Sequence, residues 1–356
     1  MPPEPIPTLV VAGSHREAGR QVGAVRRDVI RTEVAFDDRI PGGRTRAEQL
    51  ELASRYRDVT AEAHPWYIEE LEGVAEAAEV EPLAAFACMV EEIWYEPYAW
   101  RLRGRCTDVV AVPPATADDR IIVGHNNDMP RTYQDELIAI EWHVDDEPAV
   151  FTIGNGLQIS CGWNAAGISM TGNELAPLDE RIGIPREIQF RSMLRMPTVD
   201  MAVGEALHHA RASNYNHVVV SADGAVMNVE GSATDADFVE PDERGHLVHT
   251  NHYVCERMER YEGDPEYRPN SAARFDRART LLAEQPAGGV DPGTVRSILS
   301  DHEGEPNALC RHPERYGDAS SSATAFWWIA DLTQREVTFG RGNPCDSTPQ
   351  THRFGS

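Results

Sequence analysis

The sequence contains no lysine; all 33 of its basic residues are arginine. That absence excludes Schiff-base and pyridoxal-phosphate enzymes, P-loop nucleotidases and kinases, each of which needs a lysine amine. Basic charge is scarce altogether. The 58 acidic residues leave a formal net charge of −25 over 356 residues. Nucleic acids and anionic membranes, both polyanions, are poor partners for such a chain. Long apolar runs are also missing, and no stretch approaches the ~18 residues of a membrane-spanning helix. The first residues, Met1 to Gly13, carry no basic residue and only a short apolar run, so they do not read as a secretory signal. A cytoplasmic protein with reduced thiols is therefore expected. The cysteines are Cys88, Cys106, Cys161, Cys255, Cys310 and Cys345, and no two stand at C-x-x-C spacing. There is no G-x-S-x-G elbow, no dinucleotide fingerprint and no H-E-x-x-H. Neither a cofactor nor a metal is expected.

What is present is acid, arginine and enough apolar residue to bury a sizeable core. Drift toward arginine codons in a GC-rich genome accounts for the missing lysine. A high-salt cytosol accounts for the acid excess as well, because salt screens the repulsion of an acidic surface. The acid excess favours the second reading. The length allows two domains or one large one.

Periodicity predicts helices over 17–37, 45–63, 65–78 and 82–101, the second opened by Thr45 and Glu48 in a capping-box pattern. After Cys106 the texture changes to short strands at 107–112, 121–124, 136–144, 149–153, 157–161 and 167–171. Helices follow at 185–195 and 198–211, then strands at 217–221, 225–230, 235–239 and 246–250. Helices at 271–283 and 292–299 precede a hairpin of 324–330 and 336–340. Surface loops are expected at 263–270 and 284–291. Runs of strands between runs of helices predict a layered α+β fold, with a helical segment over 1–105 and the main core over 106–356.

Asn and Asp gather at the expected strand ends: in Gly124-His125-Asn126-Asn127-Asp128, in Gly162-Trp163-Asn164, in Gly172-Asn173-Glu174 and in His249-Thr250-Asn251-His252. Such side chains can orient a base or donate to an oxyanion; they also dominate ordinary turns. His249 and His252 could ligate a metal or serve structurally. Cys106 opens a strand directly after the basic run Arg101-Leu102-Arg103-Gly104-Arg105, where it could be a nucleophile or a small buried hydrophobe.

Taken together these segments carry a resemblance. Arg105-Cys106-Thr107 before a strand resembles the processing site of the isopenicillin N acyltransferase family, a cysteine branch of the N-terminal-nucleophile hydrolases. Gly124 to Asp128 resembles its G-Q-N-W-D, and Gly162 to Ser169 its G-x-N-S-A-G-V. Asn173-Glu174-Leu175 resembles its N-x-L, and His249 to His252 its H-T-N-H. Glu17 to Gly23 resembles E-x-G-x-x-x-G, and Ser322-Ala323-Thr324 resembles G-A-T. The segments come in the family's order and span nearly the whole chain.

The resemblance implies a four-layer αββα sandwich made as an inactive precursor. The thiol of Cys106 would attack the carbonyl of Arg105, and the chain would be cut between them. The freed α-amine, with an ordinary pKa near ~8, is better matched to neutral pH than a lysine amine. Mature Cys106 would then open an amide or thioester of a small N-acyl substrate. Asp128 would orient the new N-terminus and Asn251 would donate to the oxyanion. Asn126, Asn164, Asn173 and His252 would line or support the site. The two fragments would stay associated. Three departures stand out: Arg105 where the fungal penicillin enzyme has Gly, Asn127 where the motif has Trp, and Ser321 where that enzyme has an Arg before G-A-T. The last puts a penicillin-type carboxylated substrate in doubt. Two other readings remain open, a non-catalytic binding protein of the same fold and a metal-dependent amidase using His249 and His252.

Overall fold

A computed structural model of the chain describes residues 3–94, 105–312 and 322–354. Ser321 and the Arg101–Gly104 part of the basic run lie outside the described residues. The chain opens with strand β1 (Thr8–Gly13), then helices α1 (His15–Val25), α2 (Arg27–Val34), α3 (Arg46–Ala63), α4 (Pro65–Ala78) and α5 (Pro82–Cys88). Strands β2 (Arg105–Ala111) and β3 (Ile122–Pro130) follow, then a single turn, α6 (Tyr133–Glu136). A meander of β4 (Ile138–Val144), β5 (Val150–Gly154), β6 (Ile159–Asn164) and β7 (Ile168–Asn173) leads to α7 (Arg186–Met193) and α8 (Val199–Ala206). Next come β8 (Asn216–Ser221), β9 (Val226–Gly231), β10 (Ala236–Val239) and β11 (His246–His249). Helices α9 (Arg268–Ala283) and α10 (Pro292–Leu299) precede β12 (Ser322–Asp331), β13 (Glu336–Arg341) and β14 (Gln350–His352).

The strands form two sheets. One has eight strands in the order β1-β4-β5-β6-β7-β8-β9-β10, the other six in the order β11-β2-β3-β12-β13-β14. Strand alternation sends each sheet's apolar residues to two different layers. Val110 of β2 and Val123 of β3 meet Phe151, Ile153, Trp163 and Val218 of the large sheet in a core between the sheets. Their neighbours Val109, Ala111 and Ile122 face the other way, onto Ala278 and Leu282 of α9 and Val295 and Leu299 of α10. The outer face of the large sheet, through Ile140, Trp142, Met170 and Val219, packs on the N-terminal helices and on α7 and α8. The result is the four-layer αββα sandwich.

Local signals hold in several places. Thr45 and Glu48 form the expected capping box, and Thr198 caps α8 with its side chain. The E-x-G-x-x-x-G segment turns out to be packing. A Cβ on Gly19 would lie 2.0 Å from the Glu70 carbonyl oxygen, and one on Gly23 2.2 Å from that of Val74. Only glycine lets α1 and α4 approach so closely.

Other expectations need correction. The N-terminal segment is not purely helical, because residues 8–13 form β1 and pair in parallel with β4 in the large sheet. The apolar run there is short, but a strand needs few residues. The helix expected over 17–37 breaks at Arg26 into α1 and α2. Residues 268–270, expected in a loop, open α9 behind a proline at its start. Gly124 to Asp128 does not close a strand; it lies inside β3, which runs on to Pro130 beside β12. The final strand β14 gave no alternation signal.

Candidate active site

Cys106 is the second residue of β2 and pairs across with Asn127 of β3. Alternation puts its thiol on the face between the sheets, with Asp108, Asn127 and His125. These groups run in series: Asp108 Oδ1 lies 2.8 Å from His125 Nδ1, His125 Nε2 is 3.5 Å from Asn127 Nδ2, and Asn127 Nδ2 is 3.7 Å from Cys106 Sγ. Burial pushes the Cys106 thiol well above its ordinary range, and the carboxylates of Asp108 and Asp128 push it the same way. The resting group is therefore a thiol, and attack needs a base beside it.

The backbone of Cys106 is clamped on both sides. Its N–H donates to Asn251 Oδ1 at 2.9 Å. Its carbonyl accepts from Arg274 Nη1 at 2.6 Å. Arg274, fully buried on α9, also donates to Thr107 Oγ1 at 2.9 Å, to Asn251 Oδ1 at 2.9 Å and to the Tyr267 hydroxyl at 2.8 Å. Asn251 in turn donates from Nδ2 to the Glu174 carbonyl at 3.0 Å and from its backbone N–H to Ser271 Oγ at 2.7 Å. An amide nitrogen carries two donors, so one remains for an oxyanion.

Asp128 occupies the opposite face of the six-stranded sheet. It pairs in register with Arg105, whose guanidinium stacks 4.5 Å over the Tyr267 ring. Asp128 Oδ1 accepts from Thr324 Oγ1 at 2.8 Å, and among the described residues Oδ2 has no hydrogen-bond partner. Burial raises its pKa, against the pull of Arg311 and Arg274. Thr324 belongs to the segment resembling G-A-T, so that resemblance lands beside Asp128.

The other expected residues are supports. Asn126 donates to the carbonyls of Leu299 and Leu309, both at 2.9 Å, and so ties β3 to the end of α10. Asn164 donates to the Leu194 and Met196 carbonyls and accepts from the Ile168 N–H, holding the β6–β7 turn against the end of α7. Asn173 accepts from Asn216 and contacts His249 Nδ1 at 2.9 Å. His252 Nδ1 lies 2.7 Å from Ser271 Oγ, and burial lowers its pKa to about 4. The metal-amidase reading fails here. Both ring nitrogens of His249 are taken by protein partners, Nε2 by Glu230 at 2.7 Å, so His249 and His252 form no ligand set.

Beside Cys106 opens a cavity of about 210 Å³. Met129, Pro130, Ile159 and Phe190 give it an apolar wall; Glu91, Glu174 and Glu187 give it an acidic one. Arg186 answers part of that acid, with Nε 2.6 Å from Glu91 and Nη2 3.3 Å from Glu174. Burial and then the Glu91 charge push Glu187 up to about 8, with Tyr215 and Arg186 opposing.

The profile of the acyl-coenzyme A:6-aminopenicillanic acid acyl-transferase family matches residues 115–346. The chain belongs to that family. A curated relative, the 40 kDa form of acyl-coenzyme A:6-aminopenicillanic-acid-acyltransferase from Emericella nidulans, is 24% identical over 342 residues, 93% of this chain and 91% of that protein. Among solved structures, a Caenorhabditis elegans ortholog of N-acylethanolamine-hydrolyzing acid amidase is 18% identical with a TM-score of 0.45, covering 64% of this chain and 93% of that one. Penicillin V acylase from Agrobacterium tumefaciens is 15% identical with a TM-score of 0.45, covering 69% and 84%.

Sequence reasoning missed Arg274, which reads as one more arginine on a polar helix. It missed the His125–Asp108 pair because β3 was expected to end at Gly124; a strand running through the segment would have placed both beside Cys106.

Proposed function

We propose that the chain is a self-processing cysteine amidohydrolase or acyltransferase of its family, with Cys106 as nucleophile. One observation carries the reading: the Cys106 thiol faces a cavity while Asn251 and Arg274 fix the backbone on either side of it. Processing begins when Sγ attacks the Arg105 carbonyl. The C–N bond breaks, a thioester forms, and the nitrogen of Cys106 leaves as a free α-amine. Water then hydrolyses the thioester, releasing the Arg105 carboxylate and restoring the thiol. In the mature enzyme the α-amine takes the thiol proton, supplying the base that the buried thiol lacks. Attack on a substrate amide gives an acyl-enzyme, and the departing amine takes the proton back. Water or a second amine accepts the acyl group.

The cavity supports a small N-acyl substrate whose acyl group lies on Met129, Ile159 and Phe190. Glu91 and Glu174 disfavour a carboxylate and suit a neutral or cationic amine portion. Asn251 Nδ2 is the oxyanion donor in this reading, and Asp128 steers the new terminus.

Denaturing intact mass spectrometry of the wild type and of Cys106→Ala tests it. The expected wild type is two fragments, residues 1–105 and 106–356, that co-purify under native conditions; the variant stays whole and inactive. A wild type that remains one chain through long incubation at several salt concentrations overturns the mechanism and leaves a binding protein with a dormant thiol.

A further inference from the structure

Away from the Cys106 cavity, four side chains from three stretches of chain converge. His302 follows α10, Cys310 and His312 lie on the segment leading to β12, and Cys345 sits in the turn after β13. One ligand atom from each falls within 4.8 Å of all the others. Cys310 Sγ is 3.6 Å from Cys345 Sγ, and His312 Nε2 is 3.4 Å from the first sulfur and 3.3 Å from the second. The rings of His302 and His312 have centroids 5.0 Å apart.

We propose that His302, Cys310, His312 and Cys345 form a tetrahedral Cys2His2 site for a divalent zinc-class metal ion. The three distances among Cys310, His312 and Cys345 are those of a coordination shell, and His302 lies within 4.8 Å of each. With Zn–S near ~2.3 Å and Zn–N near ~2.05 Å, a regular tetrahedron has edges of roughly 3.8 Å between sulfurs and roughly 3.6 Å from sulfur to nitrogen. The observed edges are each within about 0.3 Å of these. Hydrogen bonding explains the convergence poorly. Two thiols aim at one imidazole nitrogen, which accepts a single strong hydrogen bond, and thiols are weak donors. A cation satisfies both sulfurs and both rings together. Two thiolates with two imidazoles select zinc over the hard oxygen-seeking ions.

The surroundings are those of a ligand site. Asn343 Nδ2 lies 3.3 Å from Cys310 Sγ and donates to the Arg311 carbonyl at 2.8 Å, so it can support a thiolate while fixing the loop. The Cys310 N–H donates to the Asp301 carbonyl at 3.0 Å, and Asp301 accepts both arms of the Arg277 guanidinium, at 2.9 and 2.8 Å. The expected role is a clamp. Between the two ligands, Arg311 donates its N–H to Thr324 Oγ1 at 3.0 Å, and that hydroxyl donates to Asp128. The Leu309 carbonyl, one residue before Cys310, holds Asn126. The metal thus fixes the backbone that positions Asp128 from behind, without touching Cys106.

The test is metal content, which does not depend on the proposed acyl chemistry. The full chain is purified after growth with zinc, both as wild type and as Cys106→Ala, and assayed by elemental analysis. Both should carry about one zinc per chain. Cys310→Ser/Cys345→Ser should lose it at least tenfold, while Cys255→Ser keeps it. Cobalt substitution of the wild type should give the visible absorption of a tetrahedral thiolate site. If the double variant does not fold, stripping the wild type with a strong chelator serves instead: its Tm should fall and be restored by zinc but not by magnesium. Folded wild type that stays below about a tenth of a zinc per chain after incubation with zinc overturns the proposal. So does a Cys310–Cys345 disulfide in non-reducing peptide maps.

Discussion

Cys106 and Cys310 are both buried thiols, and they sit in opposite kinds of surroundings. Around Cys106 the backbone is held tightly and the sulfur loosely: Asn251 and Arg274 bond to its N–H and carbonyl, while the sulfur meets one amide at 3.7 Å and an open cavity. Around Cys310 the sulfur itself is enclosed, by Cys345, His312 and Asn343 at 3.3 to 3.6 Å. A nucleophile must reach a carbonyl that comes and goes, so fixing the chain while leaving Sγ open is productive. A ligand must stay, so its partners converge on the sulfur. What surrounds the sulfur, and not burial, therefore separates the two proposed roles.

Arg274 should separate the two centres most sharply. It ties the Cys106 carbonyl, Thr107, Asn251 and Tyr267 together from a fully buried position. Arg274→Met should slow processing by up to about 10²–10³-fold, the loss caused by removing one preorganised oxyanion donor, because it frees the backbone that carries the nucleophile. Arg274→Lys should recover part of that rate by restoring one donor, whereas zinc content stays unchanged in both. Equal loss of zinc and processing would mean that Arg274 holds the fold and not the Cys106 centre. Time-resolved intact mass spectrometry and elemental analysis on the same samples decide it.

Arg311 is the residue where the two centres touch. Its backbone bridges Cys310 and His312, and its guanidinium lowers the pKa of Asp128 against burial. Arg311→Met keeps the backbone N–H and so keeps the metal ligands in place. Processing should slow, because the buried Asp128 carboxyl loses a cation that opposes the upward push of burial on its pKa, with zinc retained. Loss of zinc instead would show that the side chain, and not the backbone, joins the centres.

How much of this was readable in sequence follows the same contrast. The Cys106 centre is carried by short local motifs, so the family resemblance could single out Cys106, Asp128 and Asn251, which their residue types alone left open as turn or core positions. The runs of strands and helices indicated a layered α+β fold, and the family resemblance implied its four αββα layers. The Cys2His2 cluster was illegible because its spacings, His302 to Cys310 and His312 to Cys345, match no compact ligand pattern; cysteines without C-x-x-C spacing were read as metal-free. Strand β1 was missed because its pairing partner, β4, lies 131 residues away (Thr8 opposite Ala139), and local alternation over six residues carries little signal. Arg274 was missed for a related reason: what makes it special is the backbone of β2, which reaches it only in the folded chain.

The smallest effect concerns the acidic wall of the Cys106 cavity, where the Cys2His2 centre should show no response. Glu187 has its pKa raised to about 8 by burial and by the Glu91 charge. A raised carboxyl means that the folded state holds a proton that the unfolded chain has released above about pH 4.5. The contribution of Glu187 to stability is therefore highest on the acid side and declines as pH rises from about 4.5 to about 8, after which this group adds no further slope. Glu187→Gln keeps an oxygen for the Tyr215 hydroxyl, which donates to Glu187 Oε1 at 2.8 Å, and removes the titration. The variant should match the wild type near pH 5 and exceed it near pH 8 by at least about 1 kcal/mol, a shift of roughly 2 °C in Tm for a chain of this size. Thermal unfolding at the two pH values measures it. Parallel curves for the two proteins would mean that Glu187 titrates normally, and the acidic wall would then be fully charged at neutral pH and still more hostile to a carboxylated substrate.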